Sequence, residues 1–154
     1  FDQFLHFTGS TSAEIVCAQV ANFHHLQHPE LEDFGDVIVR GNGGLGYIRV
    51  DWFTPDGLGV WGDGRLFITG TDGYIELRKY IDLAGRPGGE HLFLVDKKNT
   101  YYIDCKDETL PYASLLIHDI HNRTETSMTQ AHSFLAMELA IQAENIASRL
   151  GNLS

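Results

Sequence analysis

The chain has 154 residues, 43% hydrophobic and 21% charged, with 16 glycines and 4 prolines. These proportions exclude a disordered or fibrous chain and predict one domain around one continuous core. The formal charge of −10, from 11 Lys and Arg against 21 Asp and Glu, would repel a phosphate backbone or an anionic lipid surface, so no nucleic acid partner is expected.

No apolar run approaches the roughly 20 residues of a membrane span. No secretion signal opens the sequence, and Cys17 and Cys105 lie far apart without metal-type spacing. No membrane is therefore expected, and the cysteines are read as reduced thiols of a cytoplasmic protein.

Phe1-Asp2-Gln3-Phe4-Leu5-His6-Phe7 has helical apolar spacing, no N-cap ahead of it and a stop at Thr8-Gly9. Residues 1–10 are read as the tail of a helix from an upstream segment. Residues 12–23 predict an interior strand, with Ala13, Ile15, Cys17, Gln19 and Ala21 on one side and Glu14, Val16, Ala18 and Val20 on the other. A loop over 24–33 follows. Residues 34–40 and 45–53 then flank Gly41-Asn42-Gly43-Gly44, residue types that accept positive φ, so a hairpin is predicted.

Further strands at 65–69, 73–81, 91–95 and 100–104 form a meander, broken by Thr71-Asp72-Gly73, the glycines from Gly85 to Gly89, and Lys97-Lys98-Asn99. The period then changes. Pro111 opens a short helix to Asn122, and Met128, Ala131, Leu135, Leu139, Ile146 and Leu150 trace a long helix over 127–150, with Gly151 as its stop. Strands followed by helices make an α+β fold: a predominantly antiparallel open-faced sheet with helices packed on one face.

Alternation in the hairpin turns Val37, Val39, Ile48, Val50 and Trp52 toward the helices, and Asp36, Ile38, Arg40, Tyr47, Arg49, Asp51 and Phe53 away from them. The outer set continues into Arg65, Phe67, Thr69, Tyr74, Glu76, Arg78 and Tyr80. Aromatics and arginines interleaved with acids suit a protein interface, so Tyr47, Arg49, Phe67, Tyr74, Glu76, Arg78 and Tyr80 are the candidate surface for a homo-oligomer. A solvated sheet face is the alternative.

Three groups of residues invite chemical readings. His24, His25 and His28 stand beside Glu30, Glu32 and Asp33, and His118 and His121 lie one helical turn apart. Neither group has a named metal spacing such as H-E-x-x-H, and a loop or structural role is the reading. Gly41-Asn42-Gly43-Gly44-Leu45-Gly46 precedes a strand, not a helix, and so lacks the amides that hold a pyrophosphate. Trp52 and Trp61, flanking Pro55-Asp56-Gly57, are the candidate walls of a pocket for a sugar-like ligand, with core packing as the alternative for Trp52.

Residues 34–40, the turn, 46–52, and then Ile68-Thr69-Gly70-Thr71-Asp72-Gly73-Tyr74-Ile75-Glu76-Leu77 resemble the C-terminal domain of the Gfo/Idh/MocA oxidoreductases, relatives of glucose-fructose oxidoreductase and inositol dehydrogenase. The closing segment 118–150 is similar to that domain's last helices, so the likeness runs over essentially the whole chain.

The resemblance implies an NAD- or NADP-dependent parent with an upstream Rossmann domain. Residues 11–154 would then be its substrate-side and oligomerisation domain, acting on a sugar or polyol. The family's catalytic lysine lies in a Glu-Lys-Pro motif, and its catalytic Asp and His lie in a D-x-G-x-H-x-x-D segment. Only the last Asp of that segment has a counterpart here, Asp2. The resemblance therefore implies no catalytic residue in this chain and no nicotinamide cofactor bound by it alone. A non-catalytic binding or scaffold module assembling through its sheet is the alternative reading, and a metal-dependent enzyme using the five histidines is a second.

Overall fold

The structure is a computed structural model that describes residues 1–151. It has the α+β composition expected, in the order α1 (Asp2–Thr8), β1 (Ala13–Ala21), β2 (Phe34–Gly41), β3 (Gly44–Asp51), β4 (Arg65–Gly70), β5 (Gly73–Lys79), β6 (Glu90–Asp96), β7 (Thr100–Asp104), α2 (Tyr112–Asn122), α3 (Gln130–Ile146) and β8 (Ser148–Arg149). The single core is corrected. The chain divides into two compact units, one made of residues 1–53 with the chain from Pro111 onward, the other of Thr54–Leu110. The strands accordingly form two four-stranded sheets, ordered β3-β2-β1-β8 and β4-β5-β6-β7.

In the first unit α3 packs against β1, and α1 against α3. Leu5 of α1, Leu139 and Ala143 of α3, and Ala18 and Val39 of the sheet are buried together with Ala21 as its apolar core. Pairing of Val37 with Ile48 and of Asp36 with Arg49 reproduces the predicted alternation of the hairpin. β1 departs from it. A bulge between Ile15 and Cys17 leaves Val16 exposed and puts Ile15, opposite Val39, on the same face as Ala18, opposite Val37. One extra residue thus re-aims half the strand.

The hairpin turn uses its glycines differently from the expectation. Neither Asn42 nor Gly43 has positive φ. The Asn42 Oδ1 instead accepts from the Thr11 amide at 2.9 Å, and a Cβ on Gly43 would fall 2.0 Å from the Thr8 carbonyl oxygen. Glycine is required there because the end of α1 sits on the turn.

Two boundaries also move. The long helix ends at Ile146, not near Gly151. Ser148 and Arg149 pair in parallel with Gln19 and Val20, and the Leu150 amide donates to the Val20 carbonyl, so the chain satisfies backbone groups on the otherwise open edge of β1. β5 ends at Lys79 because Tyr80 takes φ 79° and sends its amide to the Gly89 carbonyl at 2.7 Å.

The second unit is the predicted meander, antiparallel throughout. One face pairs Leu66 with Leu77, Ile68 with Ile75, and Leu77 with Leu92. The other carries Phe67 opposite Glu76, Glu76 opposite Phe93, and Phe93 opposite Tyr102. No helix among the described residues is long and apolar enough to cross a membrane.

Candidate functional site

At the far end of the first sheet the chain builds a buried carboxylate under an imidazole. Asp33 is fully buried, and its backbone is tied on both sides: its amide donates to the Ala21 carbonyl and its carbonyl accepts from the Trp52 amide, each at 3.0 Å. Its Oδ1 accepts from the Phe23 amide at 2.9 Å. Its Oδ2 accepts from the His24 amide at 2.8 Å and faces the His25 Nδ1 at 3.0 Å. Burial alone would raise the Asp33 pKa, but these hydrogen bonds outweigh it and hold the group at about 2.

An ionised carboxylate only accepts, so the proton of this contact sits on His25 Nδ1. Asn22 closes the loop, its Oδ1 accepting from the His25 amide at 2.9 Å and its Nδ2 donating to the carbonyls of His25 and His28. Aromatic rings surround these strand ends. Phe23 lies 5.7 Å from Phe34, His24 lies 5.3 Å from Phe53, and the Arg49 guanidinium sits 5.2 Å over Phe34.

Trp52 follows β3 beside Asp33, while Trp61, 90% exposed, belongs to the second unit. The loop carrying Trp61 is anchored at Asp63, which accepts from Arg65 and, at 3.4 Å, from Arg78. The Arg65 hydrogen bond and both guanidinium charges hold the Asp63 carboxyl below its ordinary range against the opposing effect of burial.

The single outer face expected for the oligomer is divided. Tyr47 and Arg49 lie in the first sheet and Phe67, Tyr74, Glu76 and Arg78 in the second, with Tyr80 just beyond β5. Arg49 pairs with Asp51 at 2.7 Å, Arg78 with Glu76 at 3.6 Å, and Tyr47 donates to Asp36 at 3.2 Å. These charges are thus met within the chain.

Asp2 faces the His132 Nε2 of α3 at 2.8 Å. His118 stacks no ligand set with His121; its Nδ1 faces Asn122 at 3.2 Å. Among the described residues no three His, Cys, Asp or Glu come together in a group that could hold a metal ion.

The Gly41–Gly44 turn joins two antiparallel strands and leads into no helix, so it offers a pyrophosphate no helix N-terminus. Thr129, at the start of α3, spends its own hydroxyl on the His132 amide.

Sequence reasoning named Trp52 but missed Asp33 and His25 as a pair. The available signal was Asn22 and Asp33 bracketing a histidine-rich loop between two strands.

No family model and no curated protein matches the chain. Solved structures do, two of them described as oxidoreductases. One is a candidate oxidoreductase from Erwinia carotovora atroseptica SCRI1043, 47% identical with a TM-score of 0.93 over 97% of this chain. The other is a candidate oxidoreductase from Thermotoga maritima, 24% identical with a TM-score of 0.77 over 95% of this chain. The fold is that of one part of each. The chain spans 45% of the first protein and 41% of the second.

Proposed function

We propose that the chain is the substrate-side domain of an NAD- or NADP-dependent oxidoreductase of the Gfo/Idh/MocA kind, acting on a sugar or polyol. The observation that carries the proposal is the 47% identity over 97% of the chain to a portion of a candidate oxidoreductase. The dinucleotide and the proton-transfer groups belong, in this reading, to the part of the longer protein outside residues 1–154. Trp52, in the first unit, supplies a wall for a sugar, since an indole packs on its C–H face, and Trp61, in the second unit, is a candidate of the same kind by itself.

The outer face of the first sheet, with Tyr47 62% exposed and Leu45 70% exposed, serves self-association. The test is to express the longer protein and follow nicotinamide reduction at 340 nm with myo-inositol, D-glucose and D-sorbitol, each with NAD or NADP. Reduction with at least one polyol is expected. Absence of reduction with all of them would overturn the reading.

A further inference from the structure

We propose that His25 is a ligand-binding residue: its Nε2 accepts a hydrogen bond from a hydroxyl of a polyhydroxylated ligand, and Asp33 holds the ring in the orientation and tautomer that make this possible. The inference deepens the sugar or polyol reading above and rests on it for the class of ligand.

The geometry supplies each step. Asp33 is fully buried and ionised, so it accepts a 3.0 Å hydrogen bond from the His25 Nδ1–H. With Nδ1 carrying a proton, the neutral form of the ring has its lone pair on Nε2. No described residue bonds that nitrogen. The side chain is 36% exposed, so the imidazole is open to a ligand in part.

The loop does not need this imidazole for its own closure. Asn22 already ties the His25 amide and the carbonyls of His25 and His28, and the remaining Asp33 bonds go to the amides of Phe23 and His24. A buried carboxylate beneath a half-exposed imidazole is costly to build, and what it adds is a fixed acceptor at the surface. The neighbouring rings of His24 and Phe53, 5.3 Å apart, and of Phe23 and Phe34, 5.7 Å apart, add apolar surface beside it. Aromatic surface with one well-placed polar atom suits a molecule that presents both C–H faces and hydroxyls.

The test uses the longer protein, unmutated, treated with diethyl pyrocarbonate in the presence and absence of saturating myo-inositol, D-glucose or D-sorbitol. Carbethoxylation of His25 is followed by tandem mass spectrometry, which resolves it from His24 and His28. At least one polyol should slow modification of His25 by tenfold or more. His25→Ala should raise the KM of that polyol about tenfold with the KM of the nicotinamide unchanged, and His25→Gln, whose amide oxygen also accepts, should recover part of the loss.

Nicotinamide reduction without protection of His25 would overturn this proposal and leave the oxidoreductase reading intact. Protection without reduction would do the reverse, and neither protection nor reduction would remove both. The protection arm needs no variant, so a misfolded His25→Ala protein does not decide the outcome.

Discussion

Asp2 and His132, 130 positions apart in the sequence, meet with Oδ1 and Nε2 at 2.8 Å and join the first turn of α1 to the first turn of α3. Asp2 is 55% exposed, and an exposed pair of this kind contributes about 0–1 kcal/mol. Asp2→Asn should therefore shift the urea midpoint by no more than that. If the same substitution cuts kcat/KM of the longer protein by more than tenfold, the carboxylate acts beyond tethering two helices.

Asp119 gives the clearest pH dependence. It is buried on α2 against the segment that follows the helix, where burial would raise its pKa, yet the hydroxyl and amide of Ser127, the Thr124 hydroxyl and the Thr126 amide all donate to it and hold it well below the usual carboxylate range. A depressed folded pKa contributes stability that is complete above the unfolded value near 3.8 and is lost as pH falls toward the folded value. Urea midpoints should fall from pH 5 to pH 2, and Asp119→Asn should be less stable at pH 6 with a flatter acid limb. Parallel curves for the two proteins would contradict this.

Leu139 is fully buried at the contact of α3 with the first sheet. Leu139→Ala should cost about 2–5 kcal/mol by the loss of buried methylenes and the cavity left behind. Denaturant unfolding monitored by far-UV circular dichroism measures it.

Gly43 and Gly57 make a matched pair. A Cβ at Gly43 would meet the Thr8 carbonyl oxygen at 2.0 Å, whereas one at Gly57 would meet nothing within 4 Å, and neither residue has positive φ. Gly43→Ala should destabilise by about 1–3 kcal/mol or more, because backbone must shift. Gly57→Ala should be neutral or slightly stabilising. Equal thermal midpoints for the two variants would show that the turn does not sit against α1.

Self-association is tested at the first sheet. Tyr47→Ala should push an oligomer toward monomer, since a central interface aromatic commonly contributes about 2 kcal/mol or more. Light scattering of the unmutated chain at high micromolar concentration should give more than 17.2 kDa. A monomer would favour the solvated face.

The hairpin was legible because Gly41-Asn42-Gly43-Gly44 separates two strand-like runs, and the meander because turn residues punctuate it. The bulge at Val16 was not, since Ile15, Val16, Ala18 and Val20 are all apolar and either register satisfies the pattern. Division into two sheets left no signal either: Arg49 and Arg65 read alike, and only pairing partners assign them. The Asp33–His25 and Asp119 arrangements depend on loops folding back, which periodicity does not encode.

The strand formed by Ser148 and Arg149 bears on the order of events at the ribosome. It pairs with β1, which also receives α3, so the first unit draws its two halves from opposite ends of the chain with Thr54–Leu110 inserted between them. β4 to β7 pair only with sequence neighbours and can form as they emerge. The nascent first unit must instead wait, with β1 uncovered, until α3 and Ser148–Arg149 have been made, and that interval is when it is most exposed to misassembly.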